Sequence, residues 1–365
     1  MSGWVAGLAE AAAGLLLIGL VLWDIFQTVV LPRQAPTRLR IAPNLIRLTW
    51  PAWRWRALRR VTTIGQEKIL GSYAPAVVVL LLATWMAVMV LGFALLLYSL
   101  RDAVAPAADF GTVLYFAGTS VLTIGFGDVT ATHGLARGLA VLAGGLGLGV
   151  LALGITYLFS LYASFQRREI LVVRLEARSG APPSGVALLH AYGAADMRGS
   201  LAGFFTEWES WAAEVLDTHV AYPILPYFRS SHDNVSWVSA LGAVLDASAL
   251  VLTAVDGGPT GEATMVQRVG GHFVEDLSNY FGWHHSPLAL VERTEFDDAR
   301  SQLAEAGWSL RDADAAWERF VALRSTYAAR LNDMALYWVT PPAMWIGDRG
   351  AVRAIRHVPT PTPTG

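Results

Sequence analysis

Three long apolar stretches divide the first half of the chain. They cover residues 9–31, 73–99 and 135–165, and apart from Glu10 at the start of the first they contain two charged residues, Asp24 and Arg137. A helix needs roughly 20 apolar residues to cross the hydrocarbon core of a bilayer, so each stretch is long enough. The pattern therefore predicts three transmembrane helices, the first within an N-terminal segment of residues 1–32.

A shorter apolar stretch lies between the second and third predicted spans. Residues 109–122 can form a helix that enters the membrane without crossing it, with Asp109 near its N-cap. Residues 123–128 follow and read Thr-Ile-Gly-Phe-Gly-Asp. Irregular backbone at membrane depth is tolerated only inside protein or beside a watery cavity. We therefore predict a pore domain over residues 73–168, made of an outer helix (73–99), a pore helix (109–122), a filter (123–128) and an inner helix (135–165).

The second half of the chain has a different pattern. Apolar residues recur at intervals of three and four between Pro- and Gly-rich breaks over residues 181–350, which predicts an all-α domain. Segment 235–255 is nearly long enough for a fourth span, but its serines and Asp246 favour a core helix. The Pro- and Thr-rich residues 351–365 predict a disordered tail. The expected fold class is an all-α membrane protein with three transmembrane helices, a re-entrant pore helix and a selectivity filter, followed by an all-α cytoplasmic domain.

Composition and charge support this division. The mean hydropathy is +0.43 and only 15% of the residues are charged, as is typical of a membrane protein. The linker of residues 33–72 carries nine basic residues and one acid, so it is expected on the cytoplasmic side. That orientation places the N-terminus outside and the acidic second half inside. Tryptophans alternate with arginines over residues 38–60, which predicts contact with anionic lipid at the inner membrane surface, a solvated connector being the alternative.

The filter segment carries the chemistry. Gly125 and Gly127 have no Cβ and reach backbone conformations that other residues avoid, so consecutive carbonyls can point toward one axis. Four copies would stack rings of oxygens that replace the hydration shell of a cation. The Thr123 hydroxyl could add a ring at the inner end, and Asp128 would concentrate cations at the external mouth.

This arrangement resembles the pore domain of the potassium channel family in its two-helix bacterial form, with one extra N-terminal helix. The resemblance implies a homotetramer in which K⁺ is coordinated at five filter positions, Thr123, Ile124, Gly125, Phe126 and Gly127. Leu122 stands where many members carry threonine. Thr119 stands where some carry a glutamate that pairs with the aspartate matching Asp128.

The inner helix contains three candidates for gating. Gly147 falls where the family has its hinge glycine, although a glycine in a membrane helix can equally serve close packing. Ile155 and Phe159 lie one helical turn apart and are candidates for a hydrophobic constriction. Asp24, near the inner end of the first span, is expected to form a salt link with the basic linker or to be solvated at the interface, rather than to gate.

The sequence therefore predicts a potassium-selective channel subunit of a bacterial plasma membrane, which mediates passive K⁺ transport. Its expected partners are potassium ions, copies of itself and membrane lipids, with no cofactor and no nucleic acid. The sequence contains no recognisable nucleophile–base pair or metal motif, so an enzyme is not expected. A weakly selective cation channel is one alternative, because of Leu122. A membrane-anchored helical sensor or scaffold with a vestigial pore is another.

Overall fold

Helices provide nearly all the regular structure in the computed structural model, which describes residues 2–31, 40–60, 62–107, 109–283 and 288–348. Part of the predicted linker and the predicted tail of residues 351–365 lie outside the described residues. The chain divides into two compact units, Met1–Tyr162 and Ala163–Gly365.

The first unit contains the apolar helices. Three of the described helical segments, Trp4–Val30, Thr63–Tyr98 and Gly134–Ser179, are long and apolar enough to cross a membrane. The protein is thus an all-α membrane protein, as its sequence predicted. The elements of this part of the chain are α1 (Ser2–Ile25, continued as a π-helix over Phe26–Val30), α2 (Ile41–Leu58), α3 (Thr63–Gly71), α4 (Tyr73–Tyr98), β1 (Val104–Ala105), α5 (Phe110–Val121), β2 (Thr130–Ala131) and α6 (Gly134–Ser179).

The extra N-terminal helix α1 packs along the outer helix α4. A Cβ added at Gly14 would lie 2.6 Å from the carbonyl oxygen of Gly92, and one added at Gly92 would lie 2.7 Å from Ile18 Cγ1. Small residues allow helices in a bilayer to approach this closely. Just beyond the C-terminal end of α4, the Arg101 guanidinium lies 3.3 Å from the Glu10 carboxylate.

Asp24 joins three helices. Its Oδ1 accepts a hydrogen bond from the Ile41 backbone N–H at 2.9 Å, at the start of α2, and its Oδ2 accepts one from Trp85 Nε1 of α4 at 2.8 Å. Only 1% of Asp24 is exposed, so the expected solvation at the interface is wrong. The ring of Trp85 in turn lies 6.3 Å from that of Tyr157 in α6. Burying a carboxylate is costly unless it is hydrogen-bonded, and these two donors satisfy it.

The second unit is built around one buried helix. Every residue of α9 except Leu252 is buried, which confirms the prediction of a core helix for segment 235–255. Helices α7, α8, α10, α12 and α13 all pack against it. The helices of this part of the chain are α7 (Gly185–Ala194), α8 (Leu201–Ala221), α9 (Trp237–Thr253), α10 (Thr260–Phe281), α11 (Arg293–Glu305), α12 (Ala313–Arg324) and α13 (Ala328–Tyr337).

Helix α6 extends well beyond the predicted inner helix of residues 135–165, and its last part belongs to the second unit. The division falls before Ala163 rather than at the predicted boundary of residue 181. The physical reason is Arg168, which is 1% exposed. Its Nη1 donates to the Leu225 carbonyl at 3.0 Å and its Nη2 to the Phe228 carbonyl at 2.8 Å, which fixes this turn of α6 in the unit.

His219 completes the surroundings of Arg168. Its Nε2 lies 3.2 Å from Arg168 Nη1, and the imidazole is 1% exposed. Burial lowers the pKa of His219 well below its usual 6.5, and the facing guanidinium lowers it further. The ring is therefore neutral in the folded protein, with Nε2 as the acceptor for Arg168.

We expect this histidine to make the folded protein sensitive to mild acid. In the unfolded chain His219 takes up a proton near pH 6.5, but in the folded chain it does not, so stability falls as the pH drops below that value. The loss is up to about 1.4 kcal/mol per pH unit for one proton. The measurement is the thermal denaturation of the full chain between about pH 8 and about pH 5.

His219→Gln, which keeps an acceptor for Arg168, should flatten this pH dependence. His272→Gln provides the control, since the His272 side chain is 65% exposed and should leave the profile as it is in the wild type. An identical loss of stability in acid for the His219 variant and the wild type would contradict the assignment.

Candidate functional site

The site begins at the N-terminus of α5. The predicted N-cap is observed, because the Asp109 carboxylate accepts hydrogen bonds from the Thr112 N–H at 2.8 Å and from its hydroxyl at 2.7 Å. A cap of this kind stabilises a helix by about 1 kcal/mol. At the base of the loop, β1 pairs with β2, and the Thr132 N–H donates to the Ala103 carbonyl at 2.8 Å. The segments before α5 and after the filter are thus held together. The sequence patterns did not predict these short strands.

The C-terminal end of α5 holds the backbone N–H groups of the filter. The Thr123 N–H donates to the Ser120 carbonyl at 3.0 Å. The N–H groups of Ile124 and Gly125 both donate to the Thr119 carbonyl, at 2.8 and 3.2 Å. The last carbonyls of a helix lack partners within the helix, and these bonds satisfy two of them. The start of the filter is therefore fixed by its N–H groups, on the side that faces α5.

The filter backbone alternates in handedness. Positive φ angles occur at Thr123 (56°), Gly125 (58°) and Gly127 (83°), with negative φ at the two residues between them. Glycine adopts a positive φ at little cost. Threonine is β-branched and is a true outlier there, at a cost of about 1–3 kcal/mol. Such alternation allows the carbonyls of successive peptide groups to lie along one side of the segment.

The five filter carbonyls, from Thr123 to Gly127, are left without protein donors. None of the described residues donates a hydrogen bond to any of these oxygens. Residues 122–128 are all exposed in the single chain. Peptide carbonyls are hard oxygen ligands of the kind that coordinate dehydrated cations. The arrangement can therefore hold a cation by its backbone oxygens, once further oxygens complete the coordination shell.

Tyr115 packs against the C-terminal end of the filter, as the aromatic residues of this segment led us to expect. Its ring stacks on Phe126 with centroids 6.3 Å apart and planes 2° apart. Its hydroxyl lies 3.1 and 3.0 Å from the two carboxylate oxygens of Asp128 and donates to them. The Thr119 hydroxyl donates instead to the Phe116 carbonyl, inside α5. The filter aspartate is thus held by a tyrosine of the same chain. The sequence did not predict this hydrogen bond to Asp128.

Gly147 lies against the end of the pore helix. A Cβ added there would be 1.9 Å from the Val121 carbonyl oxygen and 2.8 Å from its carbon. This contact gives the glycine a close-packing role.

Ile155 and Phe159, the candidates for a constriction, are 48% and 72% exposed in the single chain. Both remain available to contacts outside the chain.

Comparison with known proteins relates part of the chain to ion channels. Residues 85–164 match a family model described as an ion channel, and this range contains α5, the filter and the first part of α6. The chain is also 23% identical over 201 residues to the uncharacterized membrane protein YdjJ of Bacillus subtilis (strain 168). That similarity covers 53% of this chain and 57% of the relative. No solved structure matches.

The fold and the match together define an all-α membrane protein with an ion channel domain. The match and the membrane-protein relative support an ion channel.

Proposed function

We propose that the chain is the subunit of a homotetrameric, potassium-selective channel that carries K⁺ passively across a bacterial plasma membrane. The observation that carries the proposal is the row of carbonyls from Thr123 to Gly127, which accept no hydrogen bond from any described residue. Carbonyl oxygens without a hydrogen-bond donor can replace the water molecules that a cation loses when it is dehydrated. Asp128, beside the last of them, attracts cations to the outer mouth.

Several copies are needed to complete the site. One chain supplies one side of a coordination shell, and its filter exposes large apolar side chains, with Ile124 52% and Phe126 69% exposed. Burial of these side chains against neighbouring copies would remove that apolar area from water and close the ring of oxygens around an axis. Four copies follow from the resemblance to the potassium channel family.

The orientation and the gate complete the proposal. The basic segment of residues 33–72 lies on the cytoplasmic side by the positive-inside rule, so the N-terminus and the filter mouth face outward and residues 181–350 face the cytoplasm. Ile155 and Phe159, both exposed in the single chain, form the constriction of the inner helix in the assembled channel.

The filter can be tested by ion flux in proteoliposomes. We expect the wild type to pass barium-sensitive K⁺ current with a reversal potential that follows the K⁺ gradient and not the Na⁺ gradient. Gly125→Ala should reduce this current strongly, because the φ of +58° at position 125 costs a residue with a Cβ about 1–2 kcal/mol in every copy. Gly134→Ala is the matched control, since a Cβ at Gly134 meets nothing within 4 Å and lies outside the filter.

Each alternative predicts a different result. Equal K⁺ and Na⁺ permeability would replace the proposal by a weakly selective cation channel, for which Leu122 gives a reason. No barium-sensitive current in well-folded protein would favour a sensor or scaffold with a vestigial pore.

A further inference from the structure

Helix α2 is fixed at the end of a membrane-spanning helix. Tyr73 begins α4, and its ring contacts those of Trp50 and Trp53 of α2 at centroid distances of 4.9 and 5.7 Å. The Tyr73 hydroxyl lies 3.2 Å from the Ile46 carbonyl, to which it donates. Trp53 Nε1 donates to the Ile69 carbonyl at 2.8 Å, which ties α2 to α3 as well. Because α4 spans the membrane, α2 is held close to the level of one leaflet surface.

The opposite side of α2 combines apolar and basic side chains. Leu48 and Trp55 are 77% and 57% exposed, and they lie seven residues apart, two helical turns, on one stripe of the helix. Arg47 precedes the first and Arg56 follows the second, so an exposed arginine flanks the stripe on each side. We name this surface the basic–aromatic face; its exposed members are Arg47, Leu48, Trp55, Arg56, Arg59 and Arg60.

The cations of this face are available for an external anion. No described residue forms a hydrogen bond, ion pair or ring contact with the side chains of Arg47, Arg56 or Arg60. Arg59 stacks over the Trp55 ring, with its guanidinium carbon 3.7 Å from the centroid. Within the described residues 40–60 no acidic residue opposes these charges. An arginine without a protein partner presents its full fork of donors to a phosphate.

We infer that the basic–aromatic face binds the headgroups of anionic phospholipids in the leaflet beside α2. Three features identify this ligand: the attachment of α2 to a spanning helix, the exposed apolar stripe, and the arginines without a described partner on both sides of it. Tryptophan favours the headgroup region, and each basic residue near an anionic surface contributes about 1 kcal/mol. The inference concerns lipid binding alone and does not depend on conduction.

The test is the binding of fluorescent phosphatidylglycerol to the detergent-solubilised full chain, with fluorescent phosphatidylcholine as the zwitterionic comparison. We expect tighter binding of phosphatidylglycerol, weakened by added salt. Arg56→Gln combined with Arg60→Gln should weaken it roughly 30-fold, since two charges are removed. Neither side chain has a partner among the described residues, so the variant should melt at the wild-type temperature.

A second pair of substitutions provides the control. Arg268→Gln combined with Arg319→Gln removes two exposed arginines of the second unit and should leave lipid binding unchanged. Equal affinities for the two lipids, or equal losses in the two double variants, would overturn the inference. Competition by free glycerol phosphate at the affinity of the lipid would also overturn it, because the site would then recognise a soluble anion.

Discussion

Gly147→Ala is expected to abolish K⁺ flux and to lower the melting temperature of the protein. The added methyl would lie 1.9 Å from the Val121 carbonyl oxygen, where no real Cβ is found. Its neighbour is backbone at the end of α5, so no side chain can rotate away. Forced overpacking of a well-packed site costs about 1–3 kcal/mol, here in every copy. Either α6 or the end of α5 must move, and the filter hydrogen bonds depend on that end.

Gly145→Ala is the matched control for this prediction. Gly145 lies in the same helix two residues earlier, and a Cβ there meets nothing within 4 Å in the chain. Flux in proteoliposomes and thermal melting in detergent should separate the two variants. A Gly147 variant that conducts as well as the wild type would show that α6 and α5 separate freely at this point. The contact would then carry no constraint on the filter.

Arg324→Gln is expected to destabilise the second unit by about 3–5 kcal/mol, the range for removing one partner of a buried ion pair. Arg324 and Asp246 have side chains only 1% and 2% exposed, and Arg324 Nε lies 2.8 Å from Asp246 Oδ1. The same guanidinium donates to the Trp345 carbonyl at 2.8 Å and to two carbonyls before α11, Ala289 and Leu290. The substitution therefore leaves the buried Asp246 carboxylate without its cation. It also removes the hydrogen bonds that hold residues 289–290 and Trp345.

Burial raises the pKa of Asp246, against the opposing influence of Arg324 and of the Tyr327 hydroxyl, which donates to its Oδ1 at 2.7 Å. Without Arg324 the carboxyl is expected to hold its proton at higher pH, so the loss of stability should be smaller in acid than at neutral pH. Thermal denaturation of the full chain at both pH values measures this difference.

Two controls frame the result for Arg324. Arg293→Gln removes an exposed cation beside Asp297 and Asp314 and should cost less than about 1 kcal/mol. Asp246→Leu combined with Arg324→Met replaces the buried pair by apolar groups and should be more stable than Arg324→Gln alone. If Arg324→Gln and Arg293→Gln melted at the same temperature, the buried ion pair would contribute no more to stability than the exposed one.

The spans and the pore helix could be predicted because their information is local. An apolar run and the N-cap at Asp109 each depend on residues that lie close together in the sequence. Hydropathy did not predict the end of α6, because the apolar run stops near residue 165 while residues that favour helix continue. The helix ends at Ser179, where Gly180 takes a φ of +78° and its N–H donates to the Glu176 carbonyl. Hydropathy predicts where a membrane span ends, whereas the glycine after the last turn marks where the helix ends.

The contacts that position the site could not be predicted in this way. Tyr115 and Asp128 are 13 residues apart, and Asp24 and Trp85 are 61 apart. No periodicity links such pairs, since only the packing of separate helices brings them together. The same is true of Gly147 and Val121, where the sequence allowed both a hinge and a close contact and only the backbone geometry shows the contact.

The carboxylate of Asp24 has no isosteric substitute that keeps both of its hydrogen bonds. Its two oxygens serve donors on different helices, the Ile41 amide and the Trp85 indole. A carboxamide of the same shape has only one oxygen, so even asparagine leaves one of these two donors facing an NH₂ group. A change at this position therefore weakens the attachment of α2 and α4 to α1, whatever it does to the charge.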